Sequence, residues 1–113
     1  KGSWILLDFW GSWCGPCRAE TSDVVSLYDN LKNENFKIVS IGIESSEPRW
    51  KAAIKHDGME WKDHFCDFQM FESPIAKLYG IRSIPAKILI NPEGKIQEVK
   101  PSFDEIKSLV RGK

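Results

Sequence analysis

Two cysteines three positions apart, Cys14 and Cys17, are the residues of this sequence best suited to chemistry. Gly15 and Pro16 separate them, and proline suits the first turn of a helix, where its missing N–H costs no hydrogen bond. A thiolate at a helix N-terminus is stabilised by unpaired backbone N–H groups and by the helix dipole, so the pKa of the thiol falls. The spacing predicts a dithiol that closes into a disulfide, with Cys14 as the exposed nucleophile and Cys17 as the buried resolving thiol.

Two other interpretations of this cysteine pair are a purely structural role and half of a zinc site. Zinc would need a second pair of ligands, for which His64 and Cys66 are the candidates. A Gly-Pro pair in a first helical turn is unusual between zinc ligands, so we favour redox chemistry over zinc and zinc over a structural pair. Cys66 is more often a buried apolar residue, and His56 and His64 are interpreted as surface or hydrogen-bonded polar residues.

The composition and length of the chain disfavour several classes of function. The chain has 113 residues, with 16 basic and 16 acidic side chains, and this length fits one domain. The balanced charge disfavours nucleic acid and anionic membranes as partners, and no apolar run approaches the roughly 20 residues of a membrane-spanning helix. We expect residues 1–113 to be a single domain trimmed from a longer protein, because a strand-like run follows Lys1 almost at once.

The elements that position the cysteines are predicted from apolar runs and helix caps. The predicted class is α/β, a small mixed sheet between helices, with right-handed parallel crossovers first and an antiparallel hairpin last. Residues 59–70 are ambiguous, with a short strand possible over residues 65–68. The strands are predicted at residues 4–10, 36–43, 87–90 and 95–99, and the helices begin near Pro16, Ser46, Pro74 and a capping box at Ser102 to Glu105.

Three segments resemble the thioredoxin-like family. Residues 8–18 (DFWGSWCGPCR) resemble its active-site segment, residues 79–85 (YGIRSIP) its second signature, which ends in a cis proline, and residues 91–95 the hairpin turn that follows. The resemblance spans nearly the whole chain and implies a thioredoxin-like fold. The stretch from Ile43 to Tyr79 is longer than in thioredoxin itself, and a central helical insertion there is a feature of the extracytoplasmic TlpA/ResA-type group.

The resemblance also implies two acids beside the cysteines. Asp8 matches the buried acid of thioredoxin; its place in an apolar strand should raise its pKa, which suits it to accept a proton from Cys17. Glu20 matches an acidic position of the TlpA/ResA-type group, and the alternative is a solvated helix carboxylate. Ser40 falls near the position where thioredoxin has a lysine, so which of the two acids handles the proton stays open.

The family's substrate-contacting positions map onto five residues. A cis bond before Pro85 would expose the Ile84 backbone beside the sulfurs, where an extended peptide could pair like an added strand. Trp13 is expected at an apolar rim and Trp10 in the core. The predicted substrate-binding residues are Trp13, Gly15, Pro16, Ile84 and Pro85.

The function implied is a thiol-disulfide oxidoreductase that reduces disulfides of protein substrates through Cys14 and Cys17. No metal and no organic cofactor is expected. The expected partners are a disulfide-containing protein and an electron-donor reductase, and the expected state is a monomer outside the cytoplasm, periplasmic or membrane-anchored. The alternatives are a copper chaperone on this fold, disfavoured because such chaperones resemble CxxxC with a distant histidine, and a redox-inactive interaction module.

Overall fold

A five-stranded sheet with helices on both faces is formed by residues 2–112, the part of the chain that this computed structural model describes. Every predicted strand and helix is found, in the predicted order, with ends that differ by one or two residues. The ambiguous stretch contains a two-residue strand, placed slightly earlier than expected. The elements are β1 (Trp4–Trp10), α1 (Gly15–Leu31), β2 (Phe36–Gly42), α2 (Glu47–His56), β3 (His64–Phe65), a 3₁₀ turn (Met70–Glu72), α3 (Pro74–Leu78), β4 (Ala86–Ile90), β5 (Ile96–Val99) and α4 (Phe103–Arg111).

Strand β1 lies at the centre of the sheet, whose order is β3-β2-β1-β4-β5. It pairs parallel with β2 and antiparallel with β4. A central strand covered on both faces explains why β1 is almost continuously apolar. The register places Asp8 beside Ser40 on one side and beside Lys87 on the other, so three polar side chains meet in the middle of the sheet.

Alternation along β1 divides its side chains between two cores. Leu6 and Trp10 belong to one core cluster, together with Leu27 of α1 and Ile106 of α4. Leu7 and Phe9 belong to the other, with Ala76 of α3 among its members. Asp8 therefore points to the same face as Trp10, toward α1 and the cysteines.

The helix caps follow the sequence signals. Ser46 caps α2 and accepts the Arg49 N–H, and Ser102 and Glu105 form the predicted capping box of α4. Helix α2 provides the helical insertion that the resemblance implied. Among residues 2–112, no helix combines the length and the apolar character that crossing a bilayer would require.

Candidate active site

Cys14 and Cys17 form a disulfide at the start of α1, with their Cα atoms 5.2 Å apart. Cys14 is the N-cap of the helix, and its Sγ atom lies 3.2 Å from the Cys17 backbone nitrogen, which donates to it. In the reduced protein this N–H is a donor for a Cys14 thiolate, and the helix dipole acts in the same direction. The predicted location of the pair at a helix N-terminus is confirmed.

The exposed position predicted for Cys14 is wrong for this disulfide form. Cys14 is only 4% exposed and Cys17 3% exposed, so burial does not distinguish the two residues. The cause is the loop before β4: the Ile84 carbonyl oxygen lies 3.8 Å from the Cys14 sulfur. The Ile84–Pro85 peptide bond is cis, as expected.

The predicted substrate-binding residues surround the disulfide. Trp13, Gly15, Pro16 and Pro85 are exposed, and Ile84 is half-buried against the Cys14 sulfur. Trp13 is 51% exposed and packs edge-on against Phe71, with ring centres 6.4 Å apart. Trp10, by contrast, is buried in the core as predicted. That these positions contact substrate remains a prediction.

The loop before the cysteines is held by the end of β2. The Trp13 indole N–H donates to the Ile43 carbonyl at 2.6 Å. Glu44, although only 1% exposed, accepts the Ser12 backbone N–H at 2.5 Å and the Ser12 hydroxyl at 2.7 Å. Sequence reasoning missed Glu44, because nothing in the local pattern shows that a buried carboxylate folds back on this loop.

Arg18, in the first turn of α1, anchors the insertion. Its guanidinium makes a two-point contact with the Asp57 carboxylate just beyond α2, and its Nη1 donates to the Ser12 carbonyl at 3.0 Å. Burial alone would raise the pKa of Asp57, but the hydrogen bonds from Arg18 and His56 and the charge of Arg18 lower it below its ordinary value. The Asp57 carboxylate is therefore ionised at neutral pH.

Asp8 is buried, at 3% exposure, and faces the cysteines. Burial raises its pKa, and the opposing charge of Lys87 and the hydrogen bond from Ser40 only partly offset this. The Ser40 hydroxyl donates to Asp8 Oδ2 at 3.0 Å and accepts the Trp61 indole N–H at 3.0 Å. Because an indole N–H can only donate, Trp61 fixes the Ser40 hydroxyl proton toward Asp8.

Lys87 was not singled out by sequence reasoning. It is 8% exposed, forms a close ion pair with Glu20, and its Nζ atom lies 3.4 Å from Asp8 Oδ1. The cation that the sequence lacks at Ser40 thus reaches Asp8 from β4, on the opposite side. The available signal was a lysine inside a short apolar strand two residues after Pro85, but its partner depends on strand register.

A small cavity joins these groups. Its volume is about 10 Å³, which is about the minimum that a single water molecule requires. Asp8 and Glu20, the two predicted acids, therefore line the same cavity as Cys17. The cavity is lined by Asp8, Trp10, Cys17, Glu20, Thr21, Val24, Met59, Pro85 and Lys87.

The residues considered for a zinc site do not gather around the disulfide. The His64 ring stacks on Trp61, and its Nε2 lies 3.2 Å from the Met59 carbonyl oxygen. Cys66 is half-buried, and burial raises the pKa of its thiol. Within residues 2–112, no three His, Cys, Asp or Glu side chains are arranged to bind a metal ion. His56 is exposed beside Asp57, as interpreted from the sequence.

Comparison with known proteins places this geometry in context. A family model described as thioredoxin-like matches residues 2–96. The chain is 29% identical over 99 residues to the thiol-disulfide oxidoreductase ResA of Bacillus subtilis, an alignment that covers 88% of this chain and 53% of that protein. It thus spans about half the length of the curated relatives it matches.

Solved structures match more completely. A thiol-disulfide oxidoreductase from Bacteroides fragilis aligns with a TM-score of 0.88 and 31% identity, over 99% of this chain and 82% of that one. The thioredoxin domain of a thiol-disulfide oxidoreductase from Bacteroides vulgatus aligns with a TM-score of 0.88 and 29% identity, over 97% of this chain and 81% of that one. These similarities agree with the fold described above.

Proposed function

This chain belongs to the thioredoxin-like family, and we propose that it is a thiol-disulfide oxidoreductase that reduces disulfides of protein substrates through Cys14 and Cys17. The observation that carries the proposal is the disulfide at the N-terminus of α1, beside the Ile84 carbonyl. A copper chaperone or a redox-inactive module is not favoured, since both cysteines are present and bonded to each other.

The first step is attack on the substrate disulfide. The Cys14 thiolate, supported by the Cys17 N–H at 3.2 Å, attacks one substrate sulfur. A mixed disulfide forms between Cys14 and that sulfur, and the other substrate sulfur leaves as a thiolate. We propose that Trp13, Gly15, Pro16 and Pro85 form the surface on which the substrate lies, with the Ile84 backbone available to an extended segment.

The second step is resolution of the mixed disulfide. The Cys17 thiol loses its proton to a carboxylate at the shared cavity, Asp8 or Glu20. The Cys17 thiolate then attacks the Cys14 sulfur, the Cys14–Cys17 bond forms, and the second substrate sulfur leaves as a thiolate. Two electrons pass from the dithiol to the substrate, so a reductase must supply two electrons for the next cycle.

The partners proposed are a disulfide-containing protein and an electron-donor reductase. The chemistry runs on the protein's own sulfurs, so the proposal invokes no organic cofactor and no metal. We further propose, from the resemblance to the TlpA/ResA-type group, that residues 1–113 are one domain of a longer, extracytoplasmic protein and that this domain acts as a monomer.

The test is reduction of insulin by the wild-type protein and by Cys14→Ser, Cys17→Ser and Cys66→Ser. We expect Cys14→Ser to abolish turnover and Cys17→Ser to accumulate a mixed disulfide that mass spectrometry detects. Cys66→Ser is the matched control and should retain turnover. Unchanged turnover in Cys14→Ser would refute the proposed function.

A further inference from the structure

Lys87 lies between the two carboxylates of the candidate site. Its ammonium group forms the close ion pair with Glu20 of α1 and lies 3.4 Å from Asp8 Oδ1 of β1. It also lies 5.9 Å from the centre of the Phe103 ring of α4, and an aromatic face attracts a cation. A charge that is 8% exposed and contacted from three elements has little freedom to leave this position.

The two carboxylates differ in what surrounds them. The Asp8 side chain is 4% exposed, whereas the Glu20 side chain is 33% exposed. Asp8 is carried by a central strand, and its Oδ2 is occupied by the Ser40 hydroxyl. Glu20 reaches Lys87 from a helix surface and makes the closer of the two ion pairs. Lys87 thus donates a hydrogen bond to the partly exposed acid and forms an ion pair with the buried one.

Among residues 2–112, the charged and titratable groups around Asp8 are few. Cys17 and Glu20 approach Asp8 from α1, and Lys87 approaches it from β4. His64 of β3 interacts with the charge of Asp8, but burial lowers the pKa of His64 overall. On the β2 side Asp8 meets the neutral Ser40 hydroxyl, which donates a hydrogen bond to it. Lys87 is the strongest of the influences that favour ionised Asp8 against the effect of burial, and Glu20 acts weakly in the opposite direction.

We propose, on the basis of the thiol-disulfide exchange proposed above, that Lys87 is a positioning residue that gives the two acids different roles. It engages Glu20 as its counterion and leaves Asp8 as the acceptor of the Cys17 proton. The Cys17 proton moves to the Asp8 carboxylate across the cavity, and Asp8 releases it to solvent after the Cys14–Cys17 bond has formed. The Glu20 side chain lines the same cavity and is one-third exposed. The proton therefore leaves the cavity for solvent on the Glu20 side.

The first test measures the resolution step directly. Reduced protein is mixed with insulin between pH 5 and pH 9, the reaction is quenched with acid, and mixed disulfide is counted by mass spectrometry. In Lys87→Met the pH profile of resolution should shift to higher pH, because the Asp8 pKa rises when the cation is removed. On the acidic limb of the profile the mixed disulfide should persist up to about tenfold longer for each unit of that rise. Lys87→Arg, which keeps the positive charge, should rescue most of the change seen in Lys87→Met. Lys95→Met, which removes an exposed lysine in the β4–β5 turn, is the matched control.

The two acids give opposite signatures in the same experiment. Asp8→Asn should slow resolution and remove the inflection that Asp8 ionisation produces, leaving the rise with pH that direct loss of the Cys17 proton to solvent gives. Glu20→Gln should keep the dependence but shift it to lower pH, because Lys87 then has Asp8 as its remaining counterion. The reverse pattern, or a Lys87→Met profile identical to that of Lys95→Met, overturns the proposal even if Cys14 proves to be the nucleophile.

A second test does not depend on activity. The ¹³Cγ signal of Asp8, assigned with Asp8→Asn, is titrated by NMR in the oxidised protein. Its midpoint should move to higher pH in Lys87→Met and return toward the wild-type value in Lys87→Arg. An unmoved midpoint overturns the role of Lys87, whereas failure of insulin reduction with a moved midpoint rejects the proposed function alone.

Discussion

Ser40 and Asp8 are neighbours in the parallel register of β2 and β1, and the Ser40 hydroxyl donates to Asp8 Oδ2 at 3.0 Å. The same hydroxyl accepts the Trp61 indole N–H at 3.0 Å. One small side chain therefore satisfies a buried carboxylate and a buried donor at once. With Lys87 on the other flank of Asp8, the acid is held from both neighbouring strands.

Ser40→Ala should destabilise the protein by about 1–3 kcal/mol, the usual cost of leaving a buried polar group unpaired. It removes a hydrogen bond that lowers the pKa of Asp8, so that pKa should rise further. Urea denaturation and NMR titration measure the two effects. The double variant Ser40→Ala/Trp61→Phe should lose less stability than the sum of the two single variants, because the indole donor that Ser40→Ala leaves unpaired is gone; a strictly additive loss would contradict this account.

The segments before and after α2 both hold the cysteine loop and the start of α1 in place. Before α2, the Ile43 carbonyl and the Glu44 carboxylate bind Trp13 and Ser12. After α2, Asp57 binds Arg18. The longer connection is therefore part of the support of the candidate site.

Arg18→Met should cost about 1–2 kcal/mol at neutral pH, because it removes a two-point charged contact at a partly solvated site. The pKa of Asp57 is lowered in the folded protein, so this stabilisation is present above the ordinary value of 3.8 and is lost as the pH falls through the lowered one. The difference in melting temperature between wild type and variant should therefore shrink toward pH 3. Lys107→Met, on a different helix, is a control for loss of one cationic side chain, and a difference that persists in acid would contradict the ion-pair explanation.

Gly11→Ala should disturb the Trp13 contact. A Cβ atom at Gly11 would lie 2.6 Å from Trp13 Nε1 and 2.9 Å from the Ile43 carbonyl oxygen, the two atoms of that hydrogen bond. We expect a loss of about 1–3 kcal/mol, typical of overpacking, and altered Trp13 fluorescence relative to a Trp13→Phe reference. Gly15→Ala is the matched control for stability, since a Cβ there meets nothing within 4 Å; equal losses in both variants would show that steric crowding is not the cause.

Sequence reasoning succeeded where the signal is local. The run at residues 4–10 predicts β1 because a central strand must be apolar on both faces, and Cys14, Pro16 and Cys17 mark a helix start within four residues. It failed where contacts join distant segments. Cys14 and Ile84, which are in contact, are separated by 70 positions in the sequence. Lys87 and Glu20 are separated by 67 positions. Those contacts depend on strand register and loop path, which residue types alone do not specify.

Asp8→Asn should stabilise the oxidised protein at neutral pH. The pKa of Asp8 is raised in the folded state above the ordinary value of 3.8, chiefly by burial, so the folded state binds a proton more strongly than the unfolded chain. Its contribution is therefore most favourable below the unfolded pKa and is lost as the pH rises through the folded one.

The gain from Asp8→Asn should accordingly be smallest near pH 3.5, grow with rising pH, and level off above the folded pKa of Asp8. Each pH unit of that window corresponds to about 1.4 kcal/mol. Denaturation at a series of pH values measures the difference, with Asp23→Asn, on an exposed face of α1, as the matched replacement. A gain that is the same at every pH would mean that side-chain packing, and not the buried charge, sets the stability at this position.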